Sequence, residues 1–195
     1  MFTQSDTVQF KLPDWITDYT SGVDCLTDVH ERMSFVIGAA KRNVEEKTGG
    51  PFAAGIFEIA SGKLVSLGVN LVTSQGLSIL HAEMVAISLA QKKLASYDLG
   101  GEGLPRHEIV TSTEPCAMCF GAIPWSGVSR VVTGARDEDA RRIGFDEGPK
   151  LADWQGALAE RQIEVIHDMN REQARKVLDE YLQNGGKIYN ARDSA

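Results

Sequence analysis

Polar and apolar residues follow no clear period over the first part of the chain, so residues 1 to about 26 read as an N-terminal extension. Phe10, Leu12, Trp15 and Ile16 give it the means to pack on the body as an arm. A helical repeat follows. Asp28 and Glu31 have the spacing of a capping box, and Met33, Ile37, Ala40 and Val44 recur at helical steps until Gly49 and Gly50 stop the run, which predicts a helix over roughly 29–47. Phe52 to Ile59 and Lys63 to Asn70 are apolar, strand-type runs joined by Ser61 and Gly62, and together they predict a hairpin.

From His81 through Ala95 the chain is rich in Ala, Leu, Met and Lys and lacks Gly and Pro, the pattern of a well-buried helix. Glu108 to Ser112 is a short strand, and Cys116 to about Trp125 a short helix entered after Pro115. Arg130 to Ala135 and Gln162 to His167 are further strands. Asn170 with Gln173 opens a last helix whose Ala174, Val177, Leu178, Tyr181 and Leu182 share a face, with Gly185 as its stop. Strands alternating with helices predict an α/β unit whose sheet is covered on both faces and is mixed because of the early hairpin. No internal repeat interrupts this order, so the reading is one domain over 27–195 preceded by the extension.

Composition narrows the partners. With 43% hydrophobic and 24% charged residues the chain has the make-up of a folded globular protein. Its 20 basic and 27 acidic residues give a net charge of −7, and the basic ones are scattered as pairs such as Lys41 with Arg42 and Lys92 with Lys93. Such a surface suits a small, weakly charged substrate better than a phosphate-rich polymer, so no nucleic acid partner is expected. Residues 1–19 have neither the basic start nor the apolar run of a signal peptide, and no stretch is apolar enough to span a bilayer, so the expected location is the cytoplasm. Three cysteines make a poor disulfide framework; two of them, Cys116 and Cys119, stand as a C-x-x-C pair, and Cys25 in the extension reads as a bystander.

His81-Ala82-Glu83 and Pro115-Cys116-Ala117-Met118-Cys119 each lie where a loop feeds a helix. Cys116 and Cys119, one turn apart at a helix start, can converge on one point, and the positive helix end favours their thiolates. With His81 they make three ligands for one zinc ion per chain, and an open fourth position for water marks a catalytic rather than a structural site. Glu83, at the loose start of its helix, can face that open position and move protons. A C-x-x-C pair alone also suits redox chemistry, and a closed zinc site would need His107, His30, His167 or Cys25 as a fourth ligand, none at helpful spacing. The order H-x-E then P-C-x-x-C is the signature of zinc nucleobase deaminases.

On these motifs the chain is identified as a member of the cytidine-deaminase-like superfamily, and within it most resembles bacterial guanine deaminases. Gly49-Gly50-Pro51-Phe52-Ala53, Gly68-Val69-Asn70, Gly121-Ala122-Ile123-Pro124-Trp125 and Gly144-Phe145-Asp146-Glu147 carry the resemblance, the last being the discriminating segment. It implies a three-layer α/β/α fold with a five-stranded mixed sheet between helices, usually as a homodimer. It implies hydrolysis of guanine to xanthine and ammonia, by zinc-hydroxide attack at C2, with Glu83 as proton shuttle and Glu147 as a second proton-transfer group. It also places Asn70 and the backbone N–H of Ala82 on the purine edge, with Phe52, Trp125 and Phe145 lining or stacking on the base. The C-terminal segment Lys187 to Arg192, with Tyr189, becomes a lid over an active site, the partner's in some relatives. The extension and the linker from Pro149 to Arg161 are longer than the shortest members need. Two rival readings remain: a tRNA adenosine deaminase or another nucleobase or nucleoside deaminase, sharing the metal motifs, and a catalytically silent zinc protein, which has no need of Glu83.

Overall fold

The computed structural model describes residues 2–190. The expected hairpin is β1 (Ala53–Glu58) and β2 (Leu64–Val69), antiparallel, with Ala53 opposite Val69. β1 also pairs antiparallel with β3 (His107–Thr113), which runs parallel to β4 (Arg130–Ala135), itself parallel to β5 (Glu164–Ile166). The sheet is therefore mixed, five-stranded and ordered β2-β1-β3-β4-β5.

Neighbouring strand residues point to opposite faces, and each face has its own core. Val110 and Val132 pack with Met33, Val36 and Ile37 of α2 (Val29–Glu45) and with Ala174 and Leu178 of α8 (Arg171–Gln183). Ile109 and Val131 instead join Ala86 and Ala90 of α4 (Ala82–Leu94), Ile123 of α5 (Ala117–Ser126), and Trp154 and Leu158 of α7 (Trp154–Ala159). The result is the expected α/β/α sandwich. Gly68 lets the first turn of α4 lie directly on β2: a Cβ there would stand 2.4 Å from the Ala82 carbonyl oxygen and 2.5 Å from the Ala86 nitrogen. That contact holds the start of α4, and with it His81, at the end of the sheet.

Four short helices lie outside the expected elements: α1 (Trp15–Thr20), α3 (Val72–Gln75), α6 (Asp137–Arg142) and α7. α1 lies in the stretch read as an extension, and its Trp15 and Ile16 are buried in the core shared with α2. One local expectation is corrected by backbone geometry. The last strand is confined to Glu164–Ile166, because Gln162 has a left-handed φ of 61° and Asp168 one of 60°, which no extended run accommodates. Asn170 precedes α8 as expected but does not cap it with its side chain. At a φ of 52° it turns that amide onto α2, donating to the Ser34 hydroxyl at 2.9 Å and the His30 carbonyl at 3.1 Å.

Under α2 the fully buried Glu108 accepts from Arg32 on one oxygen and from Arg130 Nε on the other at 2.6 Å. No helix among the described residues is long and apolar enough to cross a membrane.

Candidate active site

His81 and Cys116 are the N-cap residues of α4 and α5, both in extended backbone conformation, and both helices begin beside the end of the sheet. The extended φ/ψ of an N-cap swings its side chain off the helix axis, whereas Cys119 sits in the first turn and points inward. The outcome is convergence. His81 Nδ1 lies 3.5 Å from Cys116 Sγ and 3.7 Å from Cys119 Sγ, and the three donor atoms all fall within 4.8 Å of one another. Donors about 2.1–2.3 Å from a tetrahedral zinc stand roughly 3.6–3.8 Å apart, so this set fits that ion.

The alternative fourth ligands lie elsewhere. His107 Nδ1 is bonded to the Leu99 carbonyl at 2.7 Å, His30 faces Asn170, His167 faces Asp168, and the exposed Cys25 bridges to Lys63. None of them joins the three-residue group.

Electrostatics of the group follow from burial and proximity. The Cys116 thiol is held down at about 4 by the hydrogen bond from Cys119, against burial and with help from His81. Cys119, donating that hydrogen bond from a buried position, is pushed well above the ordinary thiol value. Burial works against the charged His81 imidazole, but the hydrogen bond and charge of Cys116 outweigh it and raise the pKa. A soft pair of sulfurs and one imidazole, already close-set and partly deprotonated, is the donor chemistry zinc takes.

Glu83 is 6% exposed, in the first turn of α4, and its Oε1 faces the Thr111 hydroxyl at 3.4 Å. Burial and the nearby Cys116 charge raise its carboxyl, so it is a ready proton acceptor and donor. Glu147 is 7% exposed, on the loop between α6 and α7. Its backbone carbonyl accepts from the Ala117 N–H at 2.9 Å, which fixes the loop to the start of α5. Burial lifts its carboxyl to about 8; the charges of Cys116, Asp137 and Glu83 act in the same sense, and Lys150 opposes them. Burial thus favours the neutral form of Glu147.

These groups line a cavity of about 350 Å³, within the range of small-molecule sites. Asn70, 1% exposed, closes one side; its Oδ1 accepts from the Val72 N–H at 3.2 Å, and its Nδ2 has no partner among the described residues. Phe52 and Phe145 form an edge-to-face wall with ring centroids 5.0 Å apart, and Tyr189 meets Phe145 in the same way at 5.1 Å. The buried Tyr189 hydroxyl has no hydrogen-bond partner among the described residues. The Ala82 N–H, first of its helix, has no intrahelical acceptor; Ala82 is wholly buried and does not itself line the cavity.

Trp125 is the misplaced expectation. It is 85% exposed and does not line the cavity. At about 100° per residue, the six positions from the inward-facing Cys119 to Trp125 leave it roughly 120° around the helix. The C-terminal segment closes over the cavity of its own chain: Asn190 Oδ1 accepts from the Asp146 N–H at 2.9 Å, and its Nδ2 donates to the Gly144 carbonyl at 2.8 Å. Arg192, the end of the expected lid, lies outside the described residues. Asn190 and Glu114 are cavity residues that sequence reasoning did not single out, although Asn190 lies in the expected lid and Glu114 directly precedes the Pro115–Cys119 motif. Ser78, another, lies in a stretch with no motif or period to point to it.

The sequence profile of the cytidine and deoxycytidylate deaminase zinc-binding region matches residues 27–135. A guanine deaminase of Bacillus subtilis (strain 168) is 39% identical over 108 residues, which span 55% of this chain and 65% of that protein. A tRNA-specific adenosine deaminase of the same organism is 37% identical over 105 residues, 54% of this chain and 60% of that one. The solved structure of a guanine deaminase from Nitrosomonas europaea superposes with a TM-score of 0.88 at 41% identity, covering 93% of this chain and all of that one. The matched profile contains His81, Glu83, Cys116 and Cys119, the residues the fold brings together, and the chain belongs to the family of cytidine and deoxycytidylate deaminase zinc-binding proteins.

Proposed function

We propose that this protein is a zinc-dependent hydrolase that deaminates guanine to xanthine and ammonia. The observation that carries this reading is the second buried acid. Glu147 shares the cavity with Glu83, buried so that its carboxyl is lifted to about 8, beside an amide, Asn70, with an N–H free for a ligand.

His81, Cys116 and Cys119 hold the ion, and zinc, when bound, lowers the pKa of a water toward neutrality and polarises the reacting centre. Glu83 accepts a proton from the attacking water as its oxygen bonds to C2, and returns it to the ring nitrogen N3. Glu147 donates its proton to the amino group, which departs as ammonia when the C2–N bond breaks. The second proton of the water restores Glu147 as the C2 carbonyl forms. Asn70 and the Ala82 N–H hold the base by the carbonyl oxygen and N7, while Phe52 and Phe145 pack on its ring. Cysteines kept as thiols suit the cytoplasm.

The deaminase unit is residues 27–195, and it works as a homodimer. The support for a dimer is α5, whose Met118, Gly121 and Trp125 form one exposed, largely apolar face. The likeness to a tRNA-specific adenosine deaminase favours a second reading, which the net charge of −7 opposes.

Ammonia release by zinc-loaded protein tests both readings, with guanine, adenine, cytosine, their nucleosides and tRNA as substrates. Guanine is expected to exceed the others by on the order of 10⁴-fold, because a wrong base leaves buried polar groups unpaired. Faster release from tRNA or cytosine than from guanine would leave the family in place and overturn the substrate.

A further inference from the structure

We infer that Asn43, which lies outside the cavity, is a positioning residue for base recognition, and that Trp15 of the N-terminal helix completes its setting. The inference rests on the reading above, in which Asn70 and Phe52 contact the base.

Asn43 is wholly buried on α2. Its two amide hydrogens go to two different segments: Nδ2 donates to the Gly50 carbonyl at 2.8 Å and to the Asn70 carbonyl at 3.0 Å. Its Oδ1 accepts from the Thr48 hydroxyl at 2.7 Å, and that hydroxyl accepts in turn from Trp15 Nε1 at 3.0 Å. Every hydrogen of the Asn43 amide is used, and only one orientation of it satisfies both carbonyls.

The two segments that Asn43 holds carry cavity residues. Gly50 begins the turn into Phe52, whose N–H donates to the Gly50 carbonyl at 2.9 Å, and the Asn70 N–H donates to the Phe52 carbonyl at 3.0 Å. The turn and the end of β2 are in backbone contact here. A Cβ on Gly49 would stand 1.8 Å from the Asn70 oxygen and 2.7 Å from Asn43 Nδ2, so no other residue fits at that position without separating them. The base-reading amide of Asn70 and the aromatic wall at Phe52 are thus hung from one buried side chain.

The other end of the chain of hydrogen bonds lies in α1. Trp15 is buried, its ring lies 5.3 Å from the Arg42 guanidinium carbon, and its N–H closes the series Trp15, Thr48, Asn43, Asn70. This gives the extension a part in recognition. Loss of the Thr48 hydroxyl would leave the Asn43 oxygen and the Trp15 N–H without partners and free the amide to turn.

The test uses full-length, zinc-loaded protein, with guanine kinetics, zinc content and melting temperature measured for each variant. Asn43→Asp keeps the shape but sets an oxygen against two carbonyls; KM for guanine is expected to rise about 10-fold with a smaller fall in kcat and with zinc retained. Thr48→Val and Trp15→Phe, which touch neither cavity nor metal, are expected to raise KM about threefold, and they carry the test if Asn43→Asp does not fold. The deciding measurement is a double-mutant cycle: in an Asn70→Ala background, Thr48→Val should add less than about twofold to KM, because Asn43 acts mainly through Asn70. An unchanged KM in Thr48→Val and Trp15→Phe, or the full effect persisting in Asn70→Ala, overturns the inference. If Asn70→Ala raises KM and the remote variants do not, only positioning fails. A wild-type KM in Asn70→Ala brings down the base-reading role and the inference with it.

Discussion

Replacing Glu83 by Gln removes the proposed proton shuttle and little else. Glutamine has the same length, its side-chain oxygen can still accept from the Thr111 hydroxyl 3.4 Å away, and Glu83 is not in the His81, Cys116, Cys119 group. Zinc content should stay at one per chain. What disappears is proton transfer at the reacting centre, a contribution of about 10²–10⁴-fold, which corresponds to roughly 3–5 kcal/mol in the barrier. Stability should move the other way. The carboxyl of Glu83 is raised by burial and by Cys116, so the folded state favours its protonated form. That contribution is complete below the ordinary carboxylate pKa and is lost as pH rises through the folded value; Gln carries no such loss. Metal-free Glu83→Gln should therefore melt no lower than metal-free wild type at neutral to alkaline pH. The assay is ammonia release from guanine alongside metal analysis and a melting curve. Near-normal turnover with zinc in place would refute the shuttle, and loss of zinc would show that Glu83 belongs to the ligand set.

Glu147→Gln is expected to cut guanine turnover by on the order of 10²-fold with zinc unchanged, as read by ammonia release. Burial raises the Glu147 carboxyl from 4.5 to about 8, so metal-free wild type should lose stability as pH climbs through that window, and the Gln variant should lose less in parallel melts. Trp125→Glu puts a charge on the apolar face of α5 and should convert the proposed dimer to monomer in sedimentation; a dimer that survives the change would place the interface elsewhere. Arg32→Met leaves the buried Glu108 with Arg130 as its remaining partner, and denaturant melts should show a loss of about 3–5 kcal/mol.

The long elements were legible because they repeat. α2 and α8 bury Met33, Val36 and Ile37 and Ala174, Val177 and Leu178 at helical spacing, and β1 and β2 flank a turn with its own residues. The short helices were not. α3 has four residues, and α1, α6 and α7 have six each, too few for a hydrophobic period to complete two turns. α7 lies in the stretch read as a long linker, yet Trp154 and Leu158, one turn apart, fill the core beneath β4. An apolar pair at i and i+4 behind a capping Asp153 was the signal there, and at that length it does not separate a helix from a loop that buries two side chains.

At the site, His81, Glu83, Cys116 and Cys119 were legible because their spacing has a chemical reason: two N-caps and two first-turn positions set three donors and one acid around one point. Trp125 was misplaced by the opposite reasoning, since adjacency to a motif says nothing about the side of a helix. Asn43 was invisible for a third reason. Asn43 stands in the last turn of α2, where a polar residue is ordinary, and nothing local tells that its amide reaches Gly50 and Asn70. Its partners are seven and 27 positions away and meet it only once the hairpin has folded back on α2. A residue whose function is to hold others has no motif of its own, because the spacing that matters is in space; the sequence marks it only through Gly49, the one residue small enough to let those two backbones touch.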